Sequence, residues 1–273
     1  MTTTPISEKA IFWHADDLKG LELLKASFVT HAFPRHIHEG YAVGTIERGV
    51  ETFYYRGAMH VAPAGSVVII NPGEVHTGEA ANEAGWTYRM FYPGLELLRR
   101  IMAELTGKQN QLPFFATPVV RDDYLANRLR TLHHKLEGSI SALERQSYFN
   151  ATMADLIVRH ADSRPTLPSV RMENQAIEQA KAYLEAHYAD NISLDQLARL
   201  VNLSPYYLTR TFRELIGIPP HAYLTQFRIT QAKSLLTAGY SIAQVAAETG
   251  FVDQSHFTRH FKRFIGVTPG QYR

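Results

Sequence analysis

Two sets of side chains in this sequence have types and spacings that suit chemistry. The first is His36 and His38, two residues apart, followed by Tyr41 and, further along, His76. On a strand, His36 and His38 share a face, and His76 can join them from a neighbouring strand. Three converging imidazoles can hold a divalent ion or hydrogen-bond a small organic molecule. Tyr54, Trp86 and Tyr88 supply the aromatic surface that such a pocket needs around a few orienting polar groups. The second set is Tyr206, Tyr207, Thr209 and Arg210, matched later by Gln254, Ser255, His256 and Arg259, with Lys262 one turn beyond. Arginine pairs bidentately with guanine, glutamine with adenine, and an aromatic edge packs on the thymine methyl, so this second set suits the reading of base edges.

The second set is positioned by an internal repeat. SLDQLARLVNLSPYYLTRTFRELIGIPPHAY (193–223) aligns with SIAQVAAETGFVDQSHFTRHFKRFIGVTPGQY (241–272) after a one-residue insertion. Each copy reads as a short helix, a turn and a longer helix. Leu194, Leu197, Ala198 and Val201, and in the second copy Ile242, Val245, Ala246 and Thr249, fall at i, i+3, i+4, i+7 and form a core face. Asn202 and Gly250 mark the turns, because these residue types tolerate a left-handed backbone. Ser204 and Asp253 are suitable N-caps for the longer helices, which bury Leu208, Phe212 and Leu215, or Phe257, Phe261 and Phe264, and end at Gly217 and Gly266. A helix from about His221 to Thr237 joins the copies. Its length of roughly 25 Å suits two readers set about one DNA turn, ~34 Å, apart. Arg213 and Arg263 lie further along the longer helices and suit phosphates.

The histidines belong to a different kind of segment. From about Ala26 the chain shows short alternating runs, GYAVGTIERG, VETFYYRG, SVVIINPG and GWTYRMFYP, the pattern of a small β-sandwich or barrel. Residues 94–106, 121–137 and 140–161 read as helices. They are expected to cover the barrel or to mediate dimerisation. The first 17 residues form an N-terminal arm whose Ile11, Phe12 and Trp13 could fold over the pocket. A proline-containing linker at 163–170 separates this half from the repeat-bearing domain, 171–273.

Composition agrees with two globular domains: 273 residues, 45% hydrophobic and 20% charged. The absence of cysteine excludes disulfides and thiolate zinc sites. The net charge of +2 divides into −1 for residues 1–169 and +3 for 170–273, a modest basic excess in the half expected to meet DNA. No signal-like or membrane-spanning stretch occurs, so a soluble, cytoplasmic protein without membrane association is expected.

GFVDQSHFTRHFKRFIGVTPGQYR closely resembles the C-terminal signature of the AraC/XylS transcription regulators, over about residues 174–273. The resemblance implies seven helices with two helix-turn-helix units, at about 193–217 and 241–266, and puts Tyr206, Thr209, Arg210, Ser255, His256 and Arg259 at groove-facing positions. HxHxxY at His36–Tyr41 and APAGSVVIINPGEVH ending at His76 resemble the cupin-like sensor barrel of the same family, here 18–93, with covering helices in 94–162. The fold class expected is therefore multidomain α and β. The resemblance implies a regulator, an activator by preference, bound to an operator in double-stranded DNA, controlled by a small-molecule effector, acting as a homodimer and touching RNA polymerase. The alternative is a metal-dependent cupin enzyme fused to a DNA-binding domain. Enzymatic cupins place a glutamate four or five residues after the second histidine, where this chain has Ala42 and Val43, and Glu47 lies too far along. His36, His38 and His76 are accordingly weak metal candidates, and neither a cofactor nor a catalytic residue is expected.

Overall fold

The computed structural model describes residues 8–163, 174–265 and 267–272. Its contacts divide the chain into two compact units, residues 1–134 with 152–168 and residues 135–151 with 169–273.

The first unit is built on nine antiparallel strands: β1 Lys9–Ala15, β2 Leu21–Phe28, β3 Phe33–His36, β4 Ala42–Tyr55, β5 Ala58–Pro63, β6 Ser66–Ile70, β7 His76–Ala80, β8 Trp86–Tyr92 and β9 Val119–Arg121. One layer runs β1-β2-β8-β4-β6-β9, while β3, β7 and β5 pair with one another or with the far half of β4. Strand β4 therefore serves both layers. Its first residues, Ala42–Thr45, pair with β6, and its last, Glu51–Tyr55, pair with β7 and β5. The sequence reading split β4 in two at Gly49. That glycine lies within the strand, at φ +72°, where an added Cβ would stand 1.9 Å from the carbonyl oxygen of Gly85. It marks a close approach of backbones, not a turn. Residues 9–15 are likewise not an arm over the pocket. They form the edge strand β1, paired with β2 along its whole length.

Helices α1 (Leu95–Thr106), α2 (Asp123–Glu137) and α3 (Ala142–His160) follow within a residue or two of expectation. In the first unit α2 is fastened to the sheet by a buried polar chain. Glu47 accepts from Arg89 Nε at 2.7 Å, Arg89 Nη1 meets His133 Nδ1 at 2.9 Å, and His133 Nε2 meets the Leu24 carbonyl at 3.2 Å. Glu47 is thus committed to structure.

The second unit contains α4 Asn174–Ala186, α5 Leu194–Leu200, α6 Pro205–Ile216, α7 Pro220–Thr237, α8 Ile242–Glu248, α9 Gln254–Ile265 and α10 Pro269–Tyr272. These are the seven helices that the resemblance implied, and the two short–long pairs are α5–α6 and α8–α9. The caps explain the boundaries. Ser193, Ser204 and Ser241 accept from the backbone N–H three residues on, and Asp253 Oδ1 accepts from His256 N at 2.6 Å. Two cores result. One gathers α4, α5, α6 and Leu224 with Leu143 of α3; the other gathers Ile229, Ala232 and Leu236 of α7 with Val245, Phe251, Phe257 and Phe261. Phe264, expected in this second core, is 43% exposed. Gly266 and most of the expected linker lie outside the described residues.

Helix α7 serves both cores, and Arg228 on it joins them. The side chain is 3% exposed, donating from Nε to the Tyr188 carbonyl at 2.6 Å and from Nη2 to the Asp190 carbonyl at 2.8 Å, with its guanidinium over the Phe251 ring. Burial pulls its pKa down to about 10, which leaves it charged at neutral pH. The peptide between those carbonyls also meets the second turn: a Cβ on Gly250 would lie 2.5 Å from the Ala189 carbonyl oxygen. Asn202 and Gly250 both have positive φ, 54° and 71°, but Asn202 is exposed. Glycine is required at 250 for space as well as conformation. We expect Gly250→Ala to destabilise the second unit by more than about 2 kcal/mol, a left-handed penalty with a backbone clash added. Asn202→Gly should change it by less than about 0.5 kcal/mol. Chemical denaturation of the two variants checks this, and equal losses would refute the steric argument.

Candidate functional site

The first unit encloses a pocket of about 480 Å³, mouth included. Its walls are Phe33 and His36 of β3, His38, Glu51 and Phe53 of β4, Val68 and Ile70 of β6, His76 of β7, and Tyr88, Met90 and Tyr92 of β8. The three histidines come together as their spacing suggested. His36 and His76 are register partners on β3 and β7, with ring centroids 4.2 Å apart, and His38, just beyond the end of β3, sits 4.9 and 5.0 Å from them. His36 Nδ1 meets the Pro34 carbonyl at 2.8 Å and His76 Nδ1 meets the Glu74 carbonyl at 3.1 Å. In that arrangement Nδ1 carries the proton and Nε2 keeps its lone pair for a ligand.

Burial governs the charge here. It pushes His38 down to about 4, helped by His76 and His36, and it lowers His76 as well. It raises the Glu51 carboxyl to about 8 and the phenols of Tyr88 and Tyr92 above their ordinary range. At neutral pH the pocket therefore presents two neutral imidazoles, a protonated carboxyl and two phenols among aromatic and aliphatic walls. Such a surface accepts an uncharged molecule with hydroxyl or carbonyl groups and an apolar face. The imidazole nitrogens also lie within 4.8 Å of one another, a spacing from which a divalent ion could be held.

Four of the seven residues expected in this pocket line it: His36, His38, His76 and Tyr88. The other three do not. Tyr41 is buried elsewhere, its hydroxyl donating to the Pro113 carbonyl at 2.6 Å. Tyr54 faces the opposite side of β4 from Glu51 and Phe53, under the Arg35 guanidinium. Trp86 is fully buried core, stacked on Tyr88 with centroids 5.8 Å apart, outside the pocket wall. Glu51 and Tyr92 were missed. Alternation along β4 and β8 is the signal that finds them, once the inward phase is known.

The second candidate surface lies on α6 and α9. Tyr206, Tyr207, Thr209 and Arg210 are partly exposed, whereas Gln254, Ser255, Arg259, Lys262 and Arg263 are exposed. Thr209 Oγ1 donates to the Pro205 carbonyl at 2.9 Å, and Arg210 Nε reaches Glu214 Oε1 at 3.2 Å. His256 does not join this surface. It is 3% exposed, facing Phe251 and His260, because the first turn of α9 is packed on its His256–Phe257 side.

A β-sheet unit with an internal pocket, followed by an all-helical unit with two helix-turn-helix pairs, defines a DNA-binding regulator with a ligand-binding domain. Comparison with known proteins gives the family. Residues 18–152 match the AraC-like ligand binding domain, and residues 197–273 match a helix-turn-helix domain. The uncharacterized HTH-type transcriptional regulator YbfI of Bacillus subtilis is 32% identical over 86% of this chain and 85% of its own. The HTH-type transcriptional activator RhaS of Salmonella arizonae is 23% identical over 89% of this chain and 88% of its own. Among solved structures, the C-terminal domain of the response regulator yesN from Fusobacterium nucleatum is 36% identical, covering 36% of this chain and 98% of that one at a TM-score of 0.35. The chain belongs to the AraC family of transcription regulators.

Glu51 provides a test of the pocket's electrostatics. Its folded pKa of about 8 exceeds the ordinary 4.5, so the folded state binds more protons than the unfolded one between these values. Its stabilising contribution is complete below 4.5 and is lost as pH rises through about 8. Glu51→Gln should therefore melt increasingly above the wild type as pH rises through this window. A melting difference that stays constant with pH would show that Glu51 ionises freely.

Proposed function

We propose that this regulator is an activator controlled by a small uncharged organic effector, which binds among His36, His38, Glu51, His76, Tyr88 and Tyr92. The observation that carries the effector reading is the pocket itself: walled by aromatic and aliphatic side chains, with burial favouring the neutral forms of His38, His76 and Glu51 inside it. An effector regulates by binding one arrangement of the chain better than another. Occupancy would change how the protein engages its operator and, as a homodimer in the cytoplasm, RNA polymerase. Among the described residues no helix is long and apolar enough to cross a membrane.

DNA contact runs through α6 and α9. Tyr206, Tyr207, Thr209 and Arg210 read one major-groove segment and Gln254, Ser255 and Arg259 the next, while Lys262 and Arg263 suit phosphates. The connecting helix α7, with 18 residues, is about 27 Å long, a length that fits readers placed in successive groove turns. A metal in the three-histidine pocket is the competing reading, favoured by the free Nε2 atoms. Metal analysis of purified protein separates the two, since a stoichiometric ion lost in His36→Ala with His76→Ala would establish it.

Footprinting at fixed salt on DNA upstream of the gene and its neighbours, with random DNA as competitor, tests the DNA reading. Protection over two successive major-groove turns per subunit is expected. Arg259→Ala and Arg210→Ala should each weaken binding by about 1–3 kcal/mol and relax preference at one position of the site. Unchanged specificity in both variants would remove these arginines from base reading.

A further inference from the structure

His256 and His260 stand one turn apart on α9, and Glu144 of α3 faces them within the same compact unit. Each offers a ligand atom, and these atoms lie within 4.8 Å of one another. Glu144 and His256 are each 3% exposed. Both ring nitrogens of His256 and Nδ1 of His260 are buried without any hydrogen-bond partner. Native structures rarely leave buried polar atoms in this state unless a water or an ion satisfies them.

We propose that Glu144, His256 and His260 form a binding site for a divalent transition-metal ion of the zinc type, which ties α9 to α3 within the C-terminal unit. Two imidazoles at i and i+4 on a helix share a face, the spacing by which helices ligate zinc. Adding a carboxylate from another element gives the two-histidine, one-carboxylate set that zinc and iron sites use. Metal–ligand distances of about 2.0–2.2 Å require the ligand atoms to draw together slightly, a movement within the reach of side-chain rotation. The unpartnered ring nitrogens of His256 and His260 lie on the side of α9 that meets the Glu144 carboxylate. Lys135 Nζ occupies Glu144 Oε1 at 2.8 Å, which leaves Oε2 for an ion. His221, its Nδ1 also unpartnered and buried, faces the same carboxylate from α7. The site is distinct from the three-histidine pocket, which belongs to the other unit.

The test uses the full chain with His36→Ala, His38→Ala and His76→Ala, so that the first histidine cluster cannot bind, after metal is stripped by a chelator. Zinc is titrated calorimetrically, and cobalt(II) is titrated by visible absorption. We expect one equivalent per chain and the intense absorption of four- or five-coordinate cobalt. Adding Glu144→Gln or His260→Ala should weaken zinc binding at least tenfold while the metal-free circular dichroism stays the same. Stoichiometric zinc whose affinity is unchanged in both variants would overturn the assignment, as would the absence of stoichiometric binding. Should the variants fold poorly, anomalous scattering at the zinc edge from crystals of the starting chain decides: a peak between Glu144, His256 and His260 supports the site, and a peak elsewhere or none overturns it.

Discussion

Arg228 gives up nearly all its hydration to sit between the carbonyls of Tyr188 and Asp190 and over the ring of Phe251. A buried, hydrogen-bonded cation with several fixed partners is costly to dislodge, because moving it leaves both the charge and the carbonyls unsatisfied. Those partners come from different parts of the unit. The carbonyls belong to the segment between α4 and α5, beneath the first helix-turn-helix pair, and Phe251 belongs to the turn of the second. Gly250 presses on Ala189, inside the same segment. One side chain on α7 and the short loop it grips therefore tie the core beneath α5 and α6 to the core beneath α8 and α9.

This arrangement also accounts for the composition of α7. A helix with a single buried face would show one apolar stripe, but α7 buries Leu224 in one core and Ile229, Ala232 and Leu236 in the other. Its apolar residues are spread around the axis, with Arg228 between the two sets. The first unit obeys a different constraint. Its sheet must curve around a pocket while leaving neutral polar groups inside, and the long, bulged β4 does this by passing from one layer to the other. Glu51 and Phe53 lie in the part of β4 beyond that bulge.

The helical unit was readable from sequence because its determinants are local. The caps Ser204 and Asp253, the left-handed Asn202 and Gly250 and the i, i+4 rows each act over one or two turns, and the repeat shows them twice. The pocket was only half readable because its determinants are not local. In β4 the inward phase is set by pairing with β7 and β5, and choosing Tyr54 over Phe53 or Glu51 is an error of one register step. Trp86 has the same parity as Tyr88 but lies too deep. His256 was misplaced for a related reason: the start of a recognition helix reads as exposed unless one knows what packs on its other side.

The two copies share a scaffold but present different chemistry on their longer helices. On α9, Arg259, Lys262 and Arg263 are exposed and the helix contains no acidic residue. On α6, Arg210 already contacts Glu214, so turning it toward a base gives up that contact. Tyr206 and Tyr207 add aromatic surface there, which suits packing on thymine methyl groups. On the proposed DNA-binding role, the α9 half would carry the larger electrostatic share of affinity and the steeper dependence on salt, and the α6 half, with less charge and more aromatic surface, would depend more on the sequence it meets. The duplicated motif thus presents two chemically unlike helix surfaces on cores that Arg228 ties together through Tyr188, Asp190 and Phe251.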